Sequence, residues 1–217
     1  RSKTRMIRIK FPAMKRSLVA ILRGIKPDET ADIIDALIEA GFTAIEIPLN
    51  SPDPFRSIEI AAKRAPKEVL IGAGTVLSVE DVDRLNSVGG RLMVSPNVER
   101  EVIAQAASHG MVTMPGVFTP TEALAACAAG ASALKFFPAS VLGPSGINAI
   151  KAILPKDVPV GAVGGVANEN FAAYAKIGVR TFGLGSSLYK AGITADEVAR
   201  RGTAAIAAFD ALSEDGL

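Results

Sequence analysis

Three groups of residues in this chain have the types and spacing to do chemistry. The first is a lysine set inside an apolar run, Ala133-Leu134-Lys135-Phe136-Phe137-Pro138. Taking an ammonium out of water is expensive, and the usual outcome is a lowered pKa that leaves a neutral, nucleophilic amine. Such an amine attacks carbonyls, so Lys135 is a candidate Schiff-base former. Lys63, Lys151, Lys176 and Lys190 fall instead on polar helix faces or in turns. On the run alone two other readings stay open: a structural ion pair, or a stem lying along the strand with its head in water. The second group is Glu46, the one ionisable residue among Ile45-Glu46-Ile47-Pro48-Leu49-Asn50. Two buried charges of opposite sign are tolerated when they face one space, and a carboxylate beside a desolvated amine can move protons while an imine and its enamine form. The third group is a pair of glycine-rich turns, Val163-Gly164-Gly165-Val166 and Gly183-Leu184-Gly185-Ser186-Ser187. Bare glycines let backbone amides approach an anion closely, and a following helix adds positive potential, so two such turns make a phosphate cradle. Arg23 is a cation suited to a phosphate or a carboxylate, or else a surface arginine on a loop.

These groups need a scaffold, and the chain repeats one grammar that supplies it. From residue 18 a short apolar run, a Gly/Pro/Ser/Thr/Asn turn and an amphipathic stretch follow one another eight times. The apolar runs are Leu18–Leu22, Ala44–Leu49, Leu70–Thr75, Leu92–Pro96, Val112–Val117, Ala133–Pro138, Val158–Gly164 and Thr181–Gly185. Helix-terminating residues recur at Gly41, Pro66, Gly89, Gly110, Gly130, Pro155 and Gly178, 20 to 25 residues apart. Ser78 with Asp81, Thr119 with Pro120 and Glu122, and Thr194 with Glu197 resemble helix starts. Ile33, Ile34, Leu37 and Ile38 make an apolar helical stripe. Continuously apolar strands alternating with helices predict a parallel sheet buried on both faces, and eight units close most simply into a (β/α)8 barrel. A doubly wound open sheet is the competing fold, but its G-x-G-x-x-G turn is absent after the first strand, where the chain reads Leu22-Arg23-Gly24-Ile25-Lys26-Pro27. In a barrel the chemistry sits at the carboxyl ends of the strands, where Arg23, Glu46, Thr75 and Lys135 fall.

Composition narrows the function classes. Of 217 residues, 49% are hydrophobic and 21% charged, as in an ordinary globular domain. The single cysteine, Cys127, cannot pair within the chain and reads as packing in an alanine-rich helix, and there is no clustered Cys/His set for zinc; a reducing, cytoplasmic setting fits best. Residues 1–16 hold seven Lys/Arg and no acid, leaving 17 basic against 22 acidic side chains beyond them. Without aromatic interleaving or an amphipathic repeat, residues 1–17 are expected to be a solvated arm or first short helix, and residues 18–217 the barrel. Neither nucleic acid nor membrane is an expected partner, since no run approaches spanning length and no signal-peptide core is present. His109, just before Gly110, is expected to cap the carbonyl end of the fourth helix.

The residues resemble a known family, the lysine-dependent 2-keto-3-deoxy-phosphosugar-acid aldolases, which include the KDPG and KDPGal enzymes. The likeness runs from Val19-Ala20-Ile21-Leu22-Arg23-Gly24 to Gly183-Leu184-Gly185-Ser186. Between them stand Glu46-Ile47-Pro48-Leu49-Asn50, Gly72-Ala73-Gly74-Thr75-Val76, Ser95-Pro96-Asn97, Leu134-Lys135-Phe136-Phe137-Pro138 and Val163-Gly164-Gly165-Val166, in that order. The resemblance implies a (β/α)8 barrel, class I chemistry with no metal or other cofactor, and a homotrimer. By motif it makes Lys135 the Schiff-base lysine and Glu46 the general acid/base. Thr75 becomes a ligand of the pyruvyl carboxylate and Arg23 a substrate anion contact. Pro96 and Phe137 fall in substrate-binding motifs, and Gly164, Gly165, Gly185 and Ser186 form the phosphate site. The phosphogluconate-type subgroup usually has arginine where Asn50 stands and threonine where Val163 stands; asparagine and valine resemble the phosphogalactonate type. The implied reaction is reversible cleavage of 2-dehydro-3-deoxy-6-phosphogalactonate to pyruvate and glyceraldehyde 3-phosphate. The phosphogluconate epimer, or a broader set of 2-keto acids, is the alternative substrate. A phosphosugar isomerase or epimerase on the same barrel would need no nucleophilic lysine, and a non-catalytic phosphosugar sensor would leave Lys135 and Glu46 unexplained.

Overall fold

In the computed structural model, which describes residues 6–214, the apolar runs become short strands and the amphipathic stretches become helices between them. The strands are β1 (Leu18–Ile21), β2 (Ala44–Pro48), β3 (Leu70–Gly74), β4 (Leu92–Val94), β5 (Val112–Met114), β6 (Gly116–Val117), β7 (Leu134–Phe136), β8 (Val160–Val163) and β9 (Thr181–Leu184). The helices are α1 (Pro27–Ala40), α2 (Pro54–Arg64), α3 (Val79–Ser87), α4 (Arg100–Ser108), α5 (Pro120–Ala128), α6 (Ala139–Lys151), α7 (Phe171–Ala175) and α8 (Ala195–Glu214). Every strand pairing is parallel, in the order β5-β4-β3-β2-β1-β9-β8-β7-β6, a nearly closed single-domain barrel. The eight runs become nine strands because Pro115, with no N–H to donate, splits the fifth. Its first half pairs with β4 and its second with β7, so one stretch of chain carries both edges of the ring.

Alternation along each strand divides the apolar core in two. One set packs under the helices, as Leu134 and Phe136 do on β7 and Ile45 and Ile47 on β2. The other fills the barrel interior near the strands' amino ends, with Val19, Ala44, Leu70, Leu92, Val112 and Ala133. Ile9, Phe11 and Met14 pack against this second set, so residues 6–17 differ from the arm expected of them: they contain no helix or strand and lie across that end of the barrel. Arg8 ties them to Asp157 at 2.7 Å, and Arg16 makes paired hydrogen bonds to Asp210 at 2.7 and 2.6 Å. Residues 1–5 of the expected arm lie outside the described residues.

Local signals set the helix ends. Pro27 opens α1 and Gly41 ends it in the left-handed region at φ 109°, its N–H reaching the carbonyls of Leu37 and Ile38. Thr119 and Glu122 form a reciprocal capping box at α5. His109 closes α4 but does not cap it with its ring: Nε2 lies 2.8 Å from Asp83 Oδ1 on α3, because an acid on the neighbouring helix is a better partner than a solvated carbonyl. No helix among the described residues is long and apolar enough to cross a membrane.

Candidate active site

Lys135 is the middle residue of β7, between two residues that face the helices, and its side chain turns inward and is only 6% exposed. Its register partners on both neighbouring strands are glycines, Gly116 on β6 and Gly161 on β8. Glu46, 2% exposed on β2, has Ile21 and Gly72 beside it, and its carboxyl group lies against β3. A Cβ added to Gly74 would sit 2.0 Å from Glu46 Oε2, so that position is glycine to make room for the acid. Lys135 is thus inserted between bare glycines on both neighbouring strands, and Glu46 against the bare glycines of β3.

The electrostatics follow from that burial. Desolvation holds the Lys135 amine below its ordinary pKa, with Arg23 pushing the same way and Glu46 opposing. Desolvation also pushes the Glu46 carboxyl up to about 7, against the pull of Lys135 and Arg23. Oε2 of Glu46 is buried without a hydrogen-bond partner among the described residues. A buried acid poised near neutrality, with one oxygen free, can give and take a proton. The Lys135 ammonium position is 4.7 Å from the centroid of the Phe137 ring, which leads from the barrel axis to the mouth.

At the mouth, a cavity of about 440 Å³ opens between the ends of β1, β8 and β9. Arg23, Phe137, Val163, Gly164, Gly165, Gly185 and Ser186 all line it, which brings seven of the expected site residues together. Gly164 and Gly165 adopt φ of 92° and 72°, and a Cβ on Gly165 would lie 2.6 Å from that of Ser140. This turn therefore presents its backbone to the cavity at a place where side chains cannot go. Thr75 and Asn50 line a different cavity, of about 390 Å³, between the loops after β2 and β3. The two residues carrying the subgroup resemblance, Asn50 and Val163, accordingly face different spaces. Pro96 lines neither; its carbonyl packs on Gly116, where an added Cβ would be 2.3 Å from the oxygen. Thr75 has φ 56°, a left-handed conformation that is strained for a β-branched residue and redirects the end of β3.

Several lining residues were not singled out from sequence as site residues: Ile21, Tyr189 and Lys190 among them. Tyr189 and Lys190 stand three and four residues after Ser186, and their place just past a phosphate-type turn is the available signal. Among the described residues no group of three or more His, Cys, Asp or Glu is arranged to hold a metal ion.

Comparison with known proteins fits this geometry. Residues 11–207 match the family described as "Aldolase: KDPG and KHG aldolase". A protein of Rhizobium meliloti (strain 1021) named "Probable 2-dehydro-3-deoxy-6-phosphogalactonate aldolase" is 69% identical over 207 residues, covering 95% of this chain and 98% of the relative. The 2-dehydro-3-deoxy-6-phosphogalactonate aldolase of Escherichia coli (strain K12) is 49% identical over 195 residues, covering 90% and 95%. A solved structure described as "Native KDPGal structure" superposes with a TM-score of 0.91 at 46% identity, over 94% of this chain and 99% of that one. With a matching barrel, a lysine and an acid buried in its interior and near-complete coverage of these relatives, the chain belongs to the KDPG and KHG aldolase family.

Proposed function

We propose that the chain is a class I aldolase that reversibly cleaves 2-dehydro-3-deoxy-6-phosphogalactonate to pyruvate and glyceraldehyde 3-phosphate. The observation that carries this reading is the inward, desolvated Lys135 electrostatically coupled to Glu46, with the Phe137 ring between Lys135 and the glycine-lined cavity. The two relatives named above, both named for the phosphogalactonate, support this choice of substrate over its phosphogluconate epimer.

The neutral Nζ of Lys135 adds to the C2 ketone, forming a C–N bond, and the ketone oxygen becomes the carbinolamine hydroxyl. Glu46 in its protonated form gives that hydroxyl a proton, and water leaves as the iminium forms. Glu46, now a carboxylate, takes the proton of the C4 hydroxyl. The C3–C4 electron pair flows into the iminium, releasing glyceraldehyde 3-phosphate and leaving an enamine rather than a free carbanion. Return of the proton to C3 and hydrolysis of the imine release pyruvate and restore the amine. A carboxyl pKa near 7 suits a group that must act in both directions in one turnover. The phosphoryl group is held by the amides of Gly164, Gly165, Gly185 and Ser186, with Arg23 as an anion contact; Phe137 and Val163 wall the carbon chain. Thr75 and Asn50 receive the carboxylate end from the second cavity, with Pro96 supporting the mouth. No metal or other cofactor enters these steps. We place the enzyme in the cytoplasm as a homotrimer, following the family resemblance.

The test is the rate of pyruvate release from the two C4 epimers, phosphogalactonate- and phosphogluconate-derived. A clear preference in kcat/KM for the galacto epimer is expected, and a strong preference for the gluco epimer would overturn the substrate assignment.

A further inference from the structure

We propose that Lys190 is a second cationic contact for the substrate's phosphoryl group and sets the preference for phosphorylated over unphosphorylated substrates, a step that rests on the aldolase reading above. Two basic side chains, Arg23 and Lys190, and no acidic one line the cavity at the ends of β1, β8 and β9. Lys190 makes no ion pair among the described residues, unlike Arg16, Arg64 and Arg201, which are held by acids elsewhere on the surface. A phosphate monoester carries a charge of about −1.5 to −2 near neutrality, so one arginine leaves it incompletely matched.

The loop bearing Lys190 is fixed against the cavity. The N–H groups of Leu188 and Tyr189 both donate to the carbonyl of Gly185 at 2.9 Å, and Ser187 Oγ donates to the carbonyl of Val166 at 3.1 Å. A Cβ added to Gly24 would meet that of Ala191 at 3.1 Å, so the Arg23 loop and the Lys190 loop abut. Next to Lys190, Tyr189 is 3% exposed in the cavity wall and packs into the helix-side core, which anchors the loop. Arg23 also bears electrostatically on both Glu46 and Lys135.

The experiment is the reverse reaction, addition of pyruvate to glyceraldehyde 3-phosphate and to unphosphorylated glyceraldehyde, with the wild type, Lys190→Met and Lys190→Arg. Lys190→Met is expected to raise KM for the phosphorylated aldehyde roughly 10- to 100-fold with kcat within about threefold, and Lys190→Arg to recover most of that loss. Inhibition by inorganic phosphate should weaken in parallel in Lys190→Met. A phosphorylated-to-unphosphorylated kcat/KM ratio within about twofold of wild type in Lys190→Met, or an equal loss on both aldehydes, would overturn the proposal. Should wild-type protein fail to trap pyruvate with borohydride, the aldolase reading falls by itself. Calorimetric binding of inorganic phosphate to wild type and Lys190→Met then still decides the role of Lys190: lost affinity supports it, equal affinity removes it.

Discussion

The two ends of this barrel use the same strands for opposite purposes. At the amino end the interior is packed with Val19, Ala44, Leu70, Leu92, Val112 and Ala133, and Ile9, Phe11 and Met14 lie over them. Toward the carboxyl end the inward positions are Glu46, Lys135 and the glycines Gly72, Gly74, Gly116, Gly161 and Gly183, with Ile21, Val94, Met114 and Val163 filling only part of the space between them. One end fills space with side chains and gains burial free energy; the other empties space so that two ionisable groups can be held out of water. The packed end adds to the stability supplied by the core beneath the helices, and the open end carries a cost that the rest of the barrel offsets. Substitutions at the two ends should therefore change different quantities.

The largest effect is expected from Glu46→Gln. Loss of the proton carrier should lower kcat/KM by about 10²- to 10⁴-fold, with the fold intact by circular dichroism. The same variant should be more stable than wild type, in a pH-dependent way. The folded-state pKa of Glu46 is raised, from an ordinary 4.5 to about 7, so its proton-linked stability is fully present below pH 4.5 and lost as pH rises through 7. Above pH 7 the wild type carries a buried carboxylate costing on the order of 3 kcal/mol, which glutamine removes. The Tm advantage of Glu46→Gln should accordingly grow between pH 5 and 8 and vanish below pH 4.5. An advantage independent of pH would mean that the carboxyl group is not desolvated. In wild type, the pH dependence of kcat/KM should show an inflection near 7, absent from Glu46→Gln.

Gly74→Ala tests the emptied space from the other side. Its new methyl would be forced onto Glu46 Oε2, and a loss of about 1–3 kcal/mol in denaturant unfolding together with lowered activity is expected. Phe11→Ala, at the packed end, should cost about 1–2 kcal/mol of stability for a half-buried ring while kcat and KM at 25 °C stay as in wild type. A change in kcat there would break the separation of the two ends. The smallest effect belongs to His109→Ala, whose solvent-screened contact with Asp83 should leave the denaturant unfolding midpoint close to that of wild type.

What was legible in the sequence follows the same division. Lys135 and Glu46 stood out because an ionisable residue inside an apolar run contradicts its surroundings, and a contradiction of that kind is visible without coordinates. The period of the glycines and prolines gave the repeated unit because left-handed helix ends at Gly41, Gly89, Gly110, Gly130 and Gly178 require that residue type locally. Lys190 was passed over because a lysine in a turn contradicts nothing; only the meeting of the β1 and β9 loops gives it a role. That Thr75 and Asn50 line a second cavity and not the glycine-rich one was hidden, since Thr75 takes a positive φ that its type disfavours. The arm's covering of the barrel's amino end was hidden because apolar residues scattered through a cation-rich stretch do not reveal which surface they meet. The pairing of His109 with Asp83 likewise depends on how α3 and α4 pack, which local sequence does not specify.

Every step of the proposed cleavage requires a covalent bond between Lys135 and the keto acid. Incubating the protein with pyruvate and sodium borohydride, digesting it and mapping the adduct by mass spectrometry tests this directly. A reduced pyruvyl adduct on Lys135, absent from Lys135→Ala, is the expected result. An adduct that persists in Lys135→Ala, or wild-type protein that turns over substrate with no trappable adduct, would contradict it.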